Sequence, residues 1–179
     1  MSNMKKGLFI FVMTSALLLL GCTTTIQHDE AVATTPARIE SGQKIYIAMA
    51  MDGAYGDKVF RGSGTQVSHY ISACIRPKAA DIVLATTHEP YEQALTNAQA
   101  HSARYAVYPI ITNWEQRAAA WSGRPTRVSM TILIHDIQAE KQILAHKIDV
   151  TGRSATFVSQ SADGLAETSI REFCGKVFN

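Results

Sequence analysis

The chain has 179 residues, with 17 Lys and Arg against 15 Asp and Glu, a formal charge of +2. Two of the bases, Lys5 and Lys6, precede an apolar run ending at residue 20, and no acid occurs before Asp29; without that segment 15 bases face 15 acids. That length holds one domain with a real core plus a short appendage, and a near-neutral domain lacks the basic excess that drives binding to phosphate backbones, which argues against nucleic acid as a partner.

Residues 1–21 read as a signal peptide. Gly7 to Leu20 is almost wholly apolar; as a helix it would rise about 21 Å, short of a hydrocarbon core of about 30 Å, which suits an export signal better than a retained span. Leu19-Leu20-Gly21-Cys22 resembles the bacterial lipobox, with Leu20 where Ala or Ser is commoner. The resemblance implies a diacylglyceryl group on the Cys22 sulfur, cleavage just before Cys22 and acylation of the new amine. Each buried methylene contributes about 0.8 kcal/mol, so one chain holds marginally and two or more hold stably. Thr23 stands where such lipoproteins carry Asp when retained at the inner membrane. The expected location is therefore the outer membrane, facing the periplasm, with the membrane itself as one partner through the N-terminal lipid.

Residues 22–43 read as the lipidated N-terminus and a flexible tether, since TTTIQHDEAVATTPARIESGQ has no sustained period. A coil of about 21 residues spans roughly 25 Å on average. His28 lies there, solvated. Residues 44–179 read as a single globular domain. KIYIAMAM alternates Ile45, Ile47, Met49 and Met51 as a strand, and the glycine-rich DGAYGDKVFRGSG connects it to TQVSHYISACI, a helix with Ser63 or Thr65 as cap and Pro77 as stop. ADIVLAT is a short strand, Pro90 opens a second helix, and RYAVYPIITNW is a third strand in which Pro109 predicts a bulge or an unpaired edge. TRVSMTILIHDI and QILAHKIDVTG form the last two strands, and Ser161 to Phe178 a closing helix. The expected fold is α/β with α+β character: a single mixed five-stranded sheet in the order β-α-β-α-β-β-β-α, parallel in its first half and antiparallel in its second, with helices packed on it.

Cys74 and Cys174 fall on the apolar sides of the first and last helices, and two readings stay open: buried thiols, or a disulfide formed in an oxidising periplasm. The bond would enclose about 100 residues, to which the chain-entropy model assigns roughly 4.7 kcal/mol, and it requires those helices to lie side by side.

No catalytic constellation emerges. Arg61-Gly62-Ser63-Gly64 lacks the first glycine of a nucleophile elbow and the lysine of a phosphate loop. The amides of Gly62, Ser63, Gly64 and Thr65 at a helix start form a candidate anion-binding turn. His69, His88, His101, His135 and His146 are scattered, without His-Glu-x-x-His or Cys-x-x-Cys, so neither a metal site nor a cofactor is expected. His135 and His146 are placed to face each other across the last hairpin. The segment NWEQRAAAWSGRPTR gathers Trp114, Glu115, Arg117 and Trp121 near a turn at Ser122-Gly123-Arg124-Pro125. Trp and Arg dominate interface hot spots, so these four are the candidate partner-binding residues; the competing reading has the tryptophans capping the core and the charges pairing locally.

DGAYGDKVFRGSG, NWEQRAAAWSGRPTR and TGRSATF resemble a family of bacterial lipoproteins known as domain of unknown function 4823, from about Lys44 to Phe178. Asp52, Gly53, Tyr55 and Gly56 match its Asp-Gly-x-Tyr-Gly stretch, and residues 114–117 match its Trp-Glu-Asp-Arg except that Gln116 replaces the Asp. The resemblance implies type and location and supplies no mechanism. The strand order also resembles periplasmic domains of cell-envelope assembly factors, at the level of fold alone. The expected function is a non-enzymatic, lipid-anchored envelope protein whose domain binds a protein partner or an envelope polymer. The alternatives are a small periplasmic hydrolase using Ser63 or a histidine, and a binder of a small anion at the Gly62–Thr65 turn.

Overall fold

The computed structural model describes residues 25–30, 39–117, 124–152, 154–155 and 158–178. In chain order the elements are β1 (Thr25–Glu30), β2 (Lys44–Met49), β3 (Ala54–Tyr55), β4 (Lys58–Val59), α1 (Ser63–Ile75), β5 (Asp81–His88), α2 (Tyr91–Ala100), β6 (Tyr105–Glu115), β7 (Arg127–Asp136), β8 (Lys141–Thr151), β9 (Ser154–Ala155), β10 (Val158–Ser159) and α3 (Ala162–Val177). Six strands form one mixed sheet in the order β1-β8-β7-β6-β2-β5; β3–β4 and β9–β10 are small separate hairpins. β2 runs parallel to both β5 and β6, while β6, β7, β8 and β1 pair antiparallel in succession. The expected division into a parallel first half and an antiparallel second half is therefore observed.

The sheet is one strand larger than the sequence suggests. TIQHDE, read as tether, is β1, paired with β8 from Thr25↔Thr151 to Glu30↔His146. Its sequence lacks alternation because backbone pairing at a sheet edge holds it, and Ile26 packs against the core. The tether reading fails again at Ile39, which is buried and bridges to Phe178 through its N–H and the Val177 carbonyl, 3.1 Å.

One face of the sheet carries α1 and α3. β7 shows the cause most clearly: Val128, Met130, Ile132 and Ile134 alternate inward with no measurable exposure. They meet Val67, Ile71 and Ile75 of α1 and Leu165, Ile170 and Phe173 of α3 in one cluster. Each such side chain contributes about 1.5–3 kcal/mol by leaving water. The two helices lie side by side, as the bonded reading of the cysteines requires, and Cys74 and Cys174 are joined as a disulfide with Cα atoms 6.2 Å apart. On the opposite face α2 covers only the parallel end, where Ala94 and Ala98 pack on Tyr46, Ala48 and Ala106.

Of the two alternatives at Pro109 the structure shows the unpaired edge, and the facing of His135 and His146 is corrected. Pro109 pairs in register with Ile132; the bulge falls between Ile111 and Asn113. Pro109 is tolerated because β2 accompanies β6 only through Tyr105–Val107, so past Val107 its missing N–H disrupts no ladder with β2. His135 and His146 lie on opposite faces, since His146 pairs with Ile132 and His135 with Gln142. The His146 ring is buried against Phe173, and His135 Nδ1 meets the Tyr91 hydroxyl at 3.1 Å.

Candidate functional site

The site lies where β6 ends and β7 begins, beside the β3–β4 hairpin. Two glycines bring the connection between β2 and α1 close enough. A Cβ on Gly53 would sit 2.6 Å from Trp114 Cβ and 2.7 Å from Ile111 Cγ2, and one on Gly64 would sit 2.2 Å from the Ala50 carbonyl oxygen. Neither position admits a larger residue without backbone movement. Gly56, at φ +55°, turns the hairpin and so presents Tyr55 toward the end of β6.

The turn at Gly62–Thr65 is not an open anion cradle. The helix starts at Ser63 with Gly62 as its cap, and neither Ser63 nor Thr65 provides a side-chain cap. Instead the Asp52 carboxylate accepts the N–H groups of Gly62 at 3.0 Å and Gly64 at 2.9 Å. The helix terminus already holds an anion, and that anion belongs to the chain. Ser63 is buried and committed: its hydroxyl donates to the Phe60 carbonyl at 2.7 Å and accepts the Gly53 N–H at 2.8 Å. A hydrolase built on Ser63 would have to break both bonds to expose its oxygen.

Of the four residues expected to form a contact surface, Trp114 belongs to the interior and Glu115 sits nearly enclosed in the groove wall. Trp114 is 2% exposed and joins the core under α1 and α3. The bulge after Ile111 turns its indole to the helix face, the core-capping reading of the sequence. Glu115 is 6% exposed and ion-paired with Arg117. Arg117 reaches further: its Nη2 donates to the Tyr55 hydroxyl at 2.9 Å, and its guanidinium carbon lies 5.4 Å from the centre of that ring. Gln116, the departure from the family pattern, accepts the Ala162 N–H at 2.6 Å and so helps cap α3. Trp121 and the turn residues Ser122 and Gly123 lie outside the described residues, as does Cys22.

Around Arg117 opens a groove of about 620 Å³, lined by Tyr55, Asn113, Glu115, Arg117, Arg124, Pro125, Arg127 and Ser129. A second hollow, about 300 Å³, shares Arg127 and Ser129 and adds Gln27 of β1 and Asp149 of β8. Burial pushes the Asp149 carboxyl up, but hydrogen bonds from Lys147 and Ser129 and the Lys147 charge outweigh it and hold the group below the usual carboxylate value. The larger groove carries three guanidinium groups against one carboxylate. Guanidinium forks bind carboxylate or phosphate oxygens bidentately, so the chemistry on offer is recognition of an anion. The segment NWEQRAAAWSGRPTR, which ends at Arg127, held all three arginines, but nothing in it pointed to Tyr55 and Gln27 as neighbours; Tyr55 had a signal in its glycine-framed motif, Gln27 none.

Among the described residues no group of His, Cys, Asp and Glu is placed to hold a metal ion, and no helix is long and apolar enough to cross a membrane. The arrangement thus defines a mixed-sheet domain with two helices stapled on one face and an arginine-lined groove at the end of its central strands. The chain belongs to the domain of unknown function 4823 family (DUF4823), whose model matches residues 37–177. No curated protein sequence matches it. Among solved structures it is similar to the PelC dodecamer from Paraburkholderia phytofirmans, with a TM-score of 0.63 and 16% identity over 87% of this chain and 98% of that one. A point variant of the PelC dodecamer from the same organism gives a TM-score of 0.64 at 15% identity, again over 87% of this chain and 98% of that one. The lipoprotein GNA1162 from Neisseria meningitidis is a weaker match, with a TM-score of 0.48 and 14% identity over 74% of this chain and 96% of that one. At these identities what is shared with PelC is the fold.

Proposed function

We propose that the chain is a non-enzymatic lipoprotein of the cell envelope. In this reading residues 1–21 are removed, Cys22 is acylated, and the domain is held at the outer membrane facing the periplasm, where it binds a protein partner or an envelope polymer. The partner favoured is further copies of the chain. The observation that carries this is the fold, which follows 98% of a PelC chain that assembles as a dodecamer. The sheet supports it: β1 and β5 are edge strands, and among the described residues no further strand pairs with their outer sides. Unpaired strand edges are ready-made templates for association. A binding role rather than a hydrolytic one is supported by Ser63, whose hydroxyl is enclosed and bonded on both sides.

The experiment is to express the whole chain with a palmitate analogue, extract it in mild detergent and weigh the assembly by native mass spectrometry. The expected outcome is label on the wild type, none on Cys22→Ala, and a mass that is a fixed multiple of the mature chain. Labelled protein that stays monomeric at every concentration sinks self-assembly and leaves the heterologous partner.

A further inference from the structure

We infer that the arginine-lined end of the sheet rests on the anionic phospholipid surface that holds Cys22. The inference depends on the Cys22 anchor proposed above and adds to it an orientation and a ligand for the groove. Thr25 lies opposite Thr151, Thr151 opposite Arg127, and Arg127 opposite Glu115, so a single rung crosses from the first strand to the groove. Only three residue steps separate Thr25 from Cys22, at most about 11 Å of chain. Neighbouring strands are about 4.8 Å apart, which puts the Arg127 backbone roughly 10 Å across the sheet from Thr25. A 21-residue tether would have let the domain tumble; β1 removes that slack and turns the end bearing Arg117, Arg124 and Arg127 toward the bilayer.

The other features at this end fit a headgroup layer. β2 runs in the direction of β6, so the β3–β4 hairpin emerges here as well, with Tyr55 46% and Val59 56% exposed. Tyr favours the membrane–water boundary, and a guanidinium beside it offers a fork for phosphate oxygens. Acids are present too: Glu115 is already paired with Arg117, Asp149 shares the hollow beside Arg127 and pairs with Lys147, and Asp57 sits in the turn of the hairpin. The attraction is therefore local to the groove.

The test uses the acylated chain carrying Val59→Cys labelled with an environment-sensitive fluorophore, on vesicles of phosphatidylcholine alone or mixed with phosphatidylglycerol. Co-flotation with phosphatidylcholine reports the anchor; shielding of the fluorophore from an aqueous quencher reports the docking. Shielding is expected only with phosphatidylglycerol and is expected to disappear near 1 M salt, where the Debye length is about 3 Å. Each basic side chain near an anionic surface is worth about 1 kcal/mol, about fivefold, so Arg124→Gln with Arg127→Gln should weaken docking roughly 25-fold. Both changes leave the part-buried Glu115–Arg117 pair intact, which protects the fold. Equal shielding on both vesicles, or release of the docked end by inorganic phosphate at constant ionic strength, overturns the docking while the anchor stands. Failure to float with phosphatidylcholine overturns the anchor, and the docking with it.

Discussion

Beneath α1 and α3 the sheet presents Ile45, Ile47, Ile132 and Ile148, and Phe173 and Phe178 fill the layer between; on the opposite face α2 meets the sheet through Ala94 and Ala98 on Ala48 and Ala106. One layer is built from large branched and aromatic side chains; the other centres on methyl groups where helix meets strand, with Tyr46 and the partly buried Val83, Leu95, Tyr108 and Ile137 around them. The difference predicts opposite weaknesses. A large-residue layer suffers from deletion, because neighbours relax only partly into the cavity, whereas an alanine layer suffers from addition, because there is no space to accept it.

The largest expected effect is therefore Phe173→Ala, a fully buried ring in contact with His146 and Phe178, which should destabilise by about 3–5 kcal/mol in urea denaturation. Ala98→Leu should cost about 1–3 kcal/mol although it adds apolar surface; a neutral or stabilising result would mean that the α2 layer has space the packing does not suggest. The smallest effect sharpens the same face. Tyr46 packs among these alanines and donates its hydroxyl to Glu89 Oε1 at 2.6 Å. Burial first, and then this bond, push its pKa from 10.0 to about 12. The unfolded chain loses the phenolic proton near pH 10 and the folded chain only near 12, so this contribution is complete below pH 10 and is lost as pH rises through 12. Tyr46→Phe should cost about 1 kcal/mol at neutral pH and flatten that alkaline limb in pH-resolved thermal melts.

The contrast between the faces also explains what could be read without coordinates. Strong periodicity is the mark of the large-residue layer, and Val128, Met130, Ile132 and Ile134 disclosed β7 and its inward side directly. The alanines of α2 gave a helix but could not say how little of the sheet it covers. β1 stayed hidden because its stability comes from backbone pairing with β8, which leaves no alternation in TIQHDE. The site was legible in its residue types and illegible in its wiring. That Asp52 would occupy the amides of Gly62 and Gly64 is a contact across ten and twelve residues, which no local capping rule anticipates. That Trp114 would point inward depended on a bulge between Ile111 and Asn113, separate from the unpaired edge that Pro109 marks.

β1 has a mechanical consequence. In an antiparallel pair the hydrogen bonds stand perpendicular to the strands, and β1 runs away from its Thr25 end along the length of β8. With Cys22 acylated as proposed above, tension arriving from that side would pull along the strand axis, so the bonds of the ladder would share the load together instead of opening one after another. A zipper tugged lengthwise holds far better than one tugged at its tab, and this short edge strand would act as the cleat by which the domain is moored.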